Sequence, residues 1–404
     1  MKIAAINLLP NGSPATIMRG ILEVAEKNIQ AETLSFYGNW KGSAPEYKGS
    51  VRFGYRIENY ISAIIAKYTG IHGKGSVLGT MSLIRRLKKY NPDIIHLHNL
   101  HLWCVNIPLL FRYIKRSDIK VVWTLHDCWA FTGRCPYFLM ENCQKWKTGC
   151  FDCSYPSNEY PSTKIDNTKI MWNLKKRWFQ GVKNMTLVTP SNWLEGLLRQ
   201  SFLSRYPIVV INNGIDLSVF RPLKSDFRMK YRIDTTKTIL LGVSLSWTKY
   251  KGIDVFVELF DKLDNKAFQI VLVGVDEKLK KQLPEGIICI AKTNSPEELA
   301  EIYTAADIFV NPTREENFPT VNMESIACGT PVISFDTGGS LETLSKNTGE
   351  VVDYDDVHSL VKAIQEISCT KKYYGFNWQK EAKRYDMNEA YKRYVNLYEE
   401  IFNE

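Results

Sequence analysis

AADIFVNPTREENFPTVNMESIACGTPVISFDTGG, residues 305–339, is the stretch whose reading decides the fold. Residues 308–310 predict a short buried strand, 314–320 a loop with Pro319 near its end, 321–328 a helix stopped by Gly329 and Pro331, and 332–335 the next strand. A strand, loop and helix in this order point free backbone N–H groups at the carboxyl end of a parallel sheet, where a diphosphate can bind without a lysine for every charge. Glu324 falls in the first turns of the helix and Glu316 on the loop before it, eight residues earlier. On one continuous helix they would stand about 12 Å apart. The break lets both face one pocket.

Working outward, strands and helices alternate along the whole chain. The first half runs from a strand at 2–7 and a helix at 17–27, through a helix at 79–90 and a strand at 94–98, to residue 188. A second series starts with a strand at 238–243, a helix at 253–262 and a strand at 268–273, and leads through a helix at 298–305 into the segment above. Alternation of this kind implies parallel, helix-covered sheets, so the expected class is α/β with two doubly wound domains. A hinge is expected at 214–236, where Asp216, Pro222, Lys224 and Ser225 interrupt the apolar periodicity. The last helix, about 388–402, carries Tyr391, Tyr394, Leu397, Tyr398 and Ile401 on one side.

The 404 residues suffice for two buried cores. No segment approaches the run of about 18 apolar residues that a spanning helix needs, and the chain enters a strand at once, which together predict a cytoplasmic protein. Nine cysteines in such a chain predict reduced thiols or metal ligands over a disulfide framework. Charge is uneven. Residues 1–213 hold 28 Lys and Arg against 13 Asp and Glu, and residues 214–404 hold 24 against 30. The basic residues gather at Arg85, Arg86, Lys88 and Lys89, at Arg112, Lys115 and Arg116, and at Lys175, Lys176 and Arg177, near Tyr90, Phe111 and Trp178. They read either as solvated helix faces or as a docking surface for an anionic membrane at the inner face of the plasma membrane. Nucleic acid is not expected, because no zinc-finger, helix-turn-helix or aromatic RNA-binding signature accompanies the charge.

The run E-x7-E followed by S-I-A-C-G-T-P-V-I resembles the signature of the retaining glycosyltransferases of the GT-B fold, family four. The resemblance extends to MKIAAINLLPNGSPATI at the start, PDIIHLH at 92–98, VVWTLHDCW at 121–129, VTPSNWL at 188–194, VINNGIDLSVFRP at 210–222 and KYKGIDVF at 249–256. It implies a GT-B fold of two Rossmann-like domains with an interdomain cleft. Residues 1–213 would bind the acceptor and carry a cysteine-rich insertion at 128–160, residues 214–386 would bind a nucleotide-sugar donor, and 387–404 would form a helix crossing back to the first domain.

Transfer from a nucleoside diphosphate sugar builds oxocarbenium character on the sugar and negative charge on the leaving phosphate, so nearby cations and amides stabilise the transition state. By resemblance Lys251 contacts the diphosphate. The family's arginine about five residues earlier is Ser246 here, and Lys249 substitutes only in part because lysine lacks the guanidinium fork. Glu324 would accept hydrogen bonds from the ribose and Glu316 from the donor sugar, with backbone N–H groups from Thr320, Val321 and Asn322. Asn317 stands where the family often has glycine. Gly12 and Ser13 match the turn that approaches the donor phosphates. His126 matches the active-site histidine of the T-x-H-D element, orienting a donor hydroxyl or the phosphate, and Asp127 would bind or help to deprotonate the acceptor. Without the resemblance, a lone histidine after an apolar strand reads as a core residue. His96, His98 and His101 suggest metal at first sight but fit a strand end better.

Cys135, Cys143, Cys150 and Cys153 end in a C-x2-C pair inside a loop-rich segment with few apolar residues. Four thiolates fit a tetrahedral structural zinc, with free thiols in a packed loop and an iron–sulfur cluster as alternatives. No catalytic metal is expected. The function implied is transfer of a sugar, with retention, from a UDP or GDP donor to a glycan acceptor carried on a polyprenyl diphosphate in surface polysaccharide synthesis. Retention would proceed by same-face attack, the leaving diphosphate helping to take the acceptor proton. The rivals are a nucleotide-sugar epimerase of the same fold and a non-catalytic sugar-nucleotide-binding scaffold.

Overall fold

A computed structural model describes residues 1–38, 49–101, 103–373 and 377–404. The chain divides into two compact units, Met1–Asn212 with Asn388–Glu404, and Asn213–Met387. Thirteen strands are described: β1 (Lys2–Ile6), β2 (Glu32–Gly38), β3 (Ser50–Phe53), β4 (Ile94–Leu97), β5 (Lys120–Thr124), β6 (Met185–Thr189), β7 (Ile208–Val210), β8 (Thr238–Val243), β9 (Phe268–Val273), β10 (Ile288–Ile290), β11 (Ile308–Asn311), β12 (Val332–Phe335) and β13 (Gly349–Val352).

In the first unit the sheet order is β3-β2-β1-β4-β5-β6-β7, and in the second β10-β9-β8-β11-β12-β13. Every pairing is parallel. Continuous apolar runs such as Ile308-Phe309-Val310 make this possible, because strands covered by helices on both faces need no polar alternation. The chain direction across each sheet reverses once, between β1 and β4 and between β8 and β11. At such a switch point the loops leaving two neighbouring strands diverge and open a crevice at the carboxyl ends. Gly12 and Ser13 follow β1. Lys251 follows β8, and Glu316 follows β11.

Two apolar clusters flank the second sheet. Leu241, Val271, Phe309, Met323 and Ile326 belong to one, and Leu240, Val255, Phe256, Leu272 and Ile333 to the other. Within the segment 214–236, Ile215, Phe227 and Ile233 join the first cluster. The segment's polar residues break the periodicity because it wraps the unit's surface while setting single anchors into it. The Met387–Asn403 helix buries Tyr391, Tyr394, Leu397, Tyr398 and Ile401. Tyr398 Oη meets His96 Nδ1 at 2.6 Å, and Tyr394 Oη accepts from Thr124 Oγ1 at 3.2 Å, which ties the helix to β4 and β5.

Two expectations about charge are corrected. Lys175 is fully buried rather than part of a basic surface, with Nζ donating to the carbonyls of Trp129 and Thr132 at 2.6 and 3.0 Å. Phe111 and Trp178 are core residues and offer no aromatic surface. A repeated basic run does not reveal which member is turned inward.

Candidate active site

In the second unit the loops after β8 and β11 are locked together. Arg314, almost wholly buried, donates from Nη1 to the Lys249 carbonyl at 2.7 Å and to Asp254 at 2.8 Å, and from Nη2 to Asp355 at 2.7 Å. Its backbone N–H donates to the Tyr250 carbonyl. This fixes the turn Lys249–Lys251 against the loop that carries Glu316. Gly252, at φ 74°, completes the approach, because a Cβ there would lie 2.4 Å from the Pro312 oxygen. The outcome is a direct ion pair, Lys251 Nζ to Glu316 Oε2 at 2.8 Å. Glu316 Oε1 also accepts from the Asn317 N–H. Two residues distant in sequence are thus brought together. Both remain partly open to solvent.

The Thr320–Ala327 helix begins after Pro319 with no side-chain cap and no acidic residue in its first turn. Its leading N–H groups, Thr320 and Val321 among them, are therefore suited to an external anion. The Asn322 side chain serves packing, accepting from Asn311 Nδ2 at 2.8 Å and donating to Thr343 Oγ1 at 3.0 Å. Glu324 lies one turn on. Desolvation raises its pKa from 4.5 to about 7, partly opposed by hydrogen bonds from Tyr303 and Thr320. Tyr303 Oη donates to Oε2 at 3.2 Å. Ser246 is exposed, and its N–H donates to Ser244 Oγ, so a short self-bonded loop occupies the place of the family's arginine. The Lys249 side chain is exposed.

In the first unit Gly12 holds φ 84° with nothing within 4 Å of a Cβ position, and the Ser13–Ile29 helix starts there without a side-chain cap. Buried Asn7 shapes the turn, donating to the Leu9 carbonyl and accepting from the Asn99 N–H. His126 Nε2 stands 3.0 Å from His98 Nδ1 with the rings stacked. Burial lowers the His126 pKa to about 4 although Asp127 pulls it upward, and burial holds His98 well below 6.5. Both are neutral at pH 7, so His126 can orient a hydroxyl but brings no charge. Burial alone would raise the Asp127 pKa. The charge and hydrogen bond of His101, 3.1 Å away, and the Trp129 N–H reverse this and hold it below the usual range. That weakens Asp127 as a base and favours a hydrogen-bonding role. His96 is taken up by Tyr398 and Thr124 and belongs to the scaffold.

The four cysteines of the insertion are free thiols. Burial raises Cys135 well above 9.0 and Cys150 to about 12, with the neighbouring thiols adding to the rise. The Gly133 N–H donates to Cys150 Sγ at 3.0 Å. Among the described residues no three His, Cys, Asp or Glu side chains converge closely enough to hold a metal ion, so the sulfurs form a loose neighbourhood rather than a finished site. Arg314, Tyr303 and Gly252 escaped sequence reasoning. The only signal for Gly252 was its place directly after Lys251.

Two parallel-sheet units, each with loops diverging at a switch point, make the GT-B fold. The chain carries a glycosyl transferases group 1 domain at residues 224–384 and a glycosyltransferase family 4 domain at residues 43–219. It is 24% identical over 327 residues, 77% of each chain, to a protein of Escherichia coli (strain K12) assigned to colanic acid biosynthesis as glycosyl transferase WcaC. It is 26% identical over 244 residues, 57% of this chain and 63% of the other, to the N,N'-diacetylbacillosaminyl-diphospho-undecaprenol alpha-1,3-N-acetylgalactosaminyltransferase of Campylobacter jejuni. Among solved structures, sucrose-phosphate synthase from Thermosynechococcus elongatus aligns over 100% of this chain and 99% of its own, with TM-score 0.75 and 19% identity. Anabaena HepE in complex with UDP-glucose aligns over 99% and 100%, with TM-score 0.66 and 13% identity.

Proposed function

We propose that this chain transfers a glycosyl unit, with retention, from a UDP or GDP sugar to a lipid-linked glycan acceptor in surface polysaccharide synthesis. The carrying observation is the meeting of Lys251 and Glu316 beside the uncapped start of the Thr320–Ala327 helix. The helix N–H groups and Lys251 would hold the diphosphate and stabilise the charge that grows on it as the glycosidic bond breaks. Glu316 would hold the sugar hydroxyls and Glu324 the ribose. The polyprenyl diphosphate acceptor class follows the undecaprenol-linked substrate in the name of the Campylobacter relative. The test is nucleotide release from UDP and GDP sugars, with and without a polyprenyl-diphosphate-linked acceptor, followed by NMR of the product anomer. Acceptor-stimulated release with the donor anomer retained is expected. Sugar isomerisation without acceptor would identify the epimerase, and binding without turnover the scaffold.

Glu324 links this reading to pH. Its folded pKa, near 7, lies above its ordinary 4.5, so its protonation stabilises the fold fully below pH 4.5, and that stability is lost as pH rises through 7. Glu324→Gln is therefore expected to stabilise the ligand-free protein at pH 8 by on the order of 2 kcal/mol. The same variant should weaken nucleotide binding, and wild-type affinity should rise between pH 6 and 8 as the carboxylate ionises. Calorimetry showing equal nucleotide affinity for both proteins at pH 8 would remove the ribose assignment.

The zinc reading is likewise a proposal. It rests on the count of four thiols, on buried Arg134 with Nη2 at 4.0 Å from Cys153 Sγ, and on buried Lys175, whose pKa burial lowers to about 7 while negative charge on Cys135 and Cys150 pulls it back up, an arrangement that suits a thiolate cluster. Zinc would draw the sulfurs together and release their protons. Elemental analysis of protein purified without added metal is expected to give about one zinc per chain. No metal, with all four thiols alkylated at once, would leave a packed loop of free cysteines.

A further inference from the structure

The Arg56–Thr69 helix is amphipathic in the reverse of the usual sense. Its buried residues are Asn59, Ser62 and Ala66. Ile57, Tyr60, Ile61, Ile64, Ile65 and Tyr68 are all exposed, Ile57 by 77%. At 3.6 residues per turn these six fall within a stripe about 140° wide. The Val77–Tyr90 helix extends the face with Val77, Leu78 and Met81, of which Leu78 is 61% exposed. Contiguous apolar surface of this extent marks an interaction site rather than ordinary surface composition.

The orientation is fixed by polar contacts on the inner side. Ser76 Oγ donates to Asn59 Oδ1 at 2.9 Å and lies 3.1 Å from Ser62 Oγ, which also accepts from the Ser76 N–H. The Glu58 carboxylate accepts from the N–H groups of Leu78 and Gly79 at 2.8 and 2.9 Å, tying one helix to the start of the other. Close approach needs glycine, since a Cβ at Gly75 would lie 2.1 Å from Ser62 Oγ and one at Gly79 2.7 Å from the Gly54 Cα. Rotating the helix to hide its apolar stripe would strip buried Asn59 and Ser62 of their partners.

Charge says what covers this face. Between residues 49 and 90 the sequence holds eight Lys and Arg against the single acid Glu58, which is occupied as a cap. Exposed Arg56 and Lys67 flank the stripe on one side. Arg85 and Lys89 lie on the same side of their helix as Leu78 and Met81, so that face passes from apolar to basic along its length. Among the described residues no helix is long and apolar enough to span a bilayer. A helix with apolar residues on its outer face and cations at its margin instead lies in the plane of a membrane, with its side chains at the boundary between headgroups and acyl chains. A pocket of about 250 Å³ opens at the edge of the face, lined by Ile65, Ile71, Trp103 and Val105 among others, and suits a hydrocarbon chain.

We infer that the Arg56–Thr69 helix and the first turn of the Val77–Tyr90 helix form an insertion face for an anionic lipid bilayer. The inference deepens the proposed function, resting on the lipid-linked acceptor for its occupant, and gives that acceptor's membrane a place to dock. The whole chain is tested by sedimentation with vesicles of phosphatidylglycerol and phosphatidylcholine, alongside vesicles of phosphatidylcholine alone. Wild-type protein is expected to bind the anionic vesicles at low salt and to lose binding as screening rises. The triple variant Ile57→Asp/Ile61→Asp/Ile64→Asp should bind at least about 100-fold more weakly. Arg85→Glu/Lys89→Glu should weaken binding by about tenfold or more. Both variants should keep wild-type circular dichroism and donor-nucleotide affinity, since none of these residues touches the donor site. Absence of wild-type binding to anionic vesicles, or undiminished binding by the triple variant, overturns the inference. So does a wild-type dimer, measured by light scattering, that the triple variant converts to a monomer without any vesicle binding, which would assign the face to a second copy. Anionic vesicle binding with no glycosyl transfer would overturn the function and leave the face standing.

Discussion

Glu316→Gln is expected to lower turnover by about 10- to 150-fold while UDP or GDP affinity stays the same or tightens. The asymmetry follows from the ion pair. In the ligand-free protein Lys251 is held at 2.8 Å by the Glu316 carboxylate, so its charge is already partly neutralised. A neutral amide at 316 frees that charge for the diphosphate, and the nucleotide loses nothing. What is lost is a charged acceptor for the sugar hydroxyls, which costs about 1.5–3 kcal/mol when it is used in the transition state. Lys251→Met should act differently, lowering nucleotide affinity and turnover together. The measurement is calorimetry with UDP and GDP beside steady-state kinetics for each variant. If Glu316→Gln weakened nucleotide binding as much as it slowed turnover, the carboxylate would belong to the nucleotide and the division of roles between Glu316 and Glu324 would be wrong.

How far the sequence announces this site depends on what kind of signal each residue leaves. Parallel strands were legible because runs such as Val332-Ile333-Ser334-Phe335 are buried on both faces, and Lys251, Glu316 and Glu324 stood out as candidates because a motif surrounds them. Arg314 was not. It lies within the quoted segment, but its partners Asp254 and Asp355 are 60 and 41 residues away and only the folded chain brings them together. Tyr303 reads as one more aromatic on an amphipathic helix until its hydroxyl is seen on Glu324. The Arg56–Thr69 helix shows a further limit. Periodicity at residues 57–68 defines an apolar stripe, and the default places such a stripe in the core. Only the Asn59, Ser62 and Ser76 network, which spans two helices, reveals that the stripe faces outward.

Gly338→Ala is expected to cost both stability and activity, the latter by about 100-fold. Gly338 sits at φ 55°, and a Cβ there would lie 1.7 Å from the Glu316 carbonyl oxygen and 2.8 Å from its carbon. These are backbone atoms, so no side chain can swing aside, and the loop carrying Glu316 must move. The left-handed backbone adds about 1 kcal/mol and the forced displacement about 1–3 kcal/mol more. Because Glu316 and Lys251 are placed by the loops that Arg314 joins, a shift of about 1 Å at residue 316 reaches the ion pair and the sugar position directly. Gly196→Ala is the control. Gly196 lies in the Asn192–Leu198 helix with nothing within 4 Å of its Cβ position, and alanine there should be neutral or stabilising by up to about 1 kcal/mol. Denaturant melts and kinetics on both variants separate the effects. Normal turnover in folded Gly338→Ala would mean that the placement of the Glu316 loop does not govern catalysis, and the sugar-holding role would then have to pass to another residue.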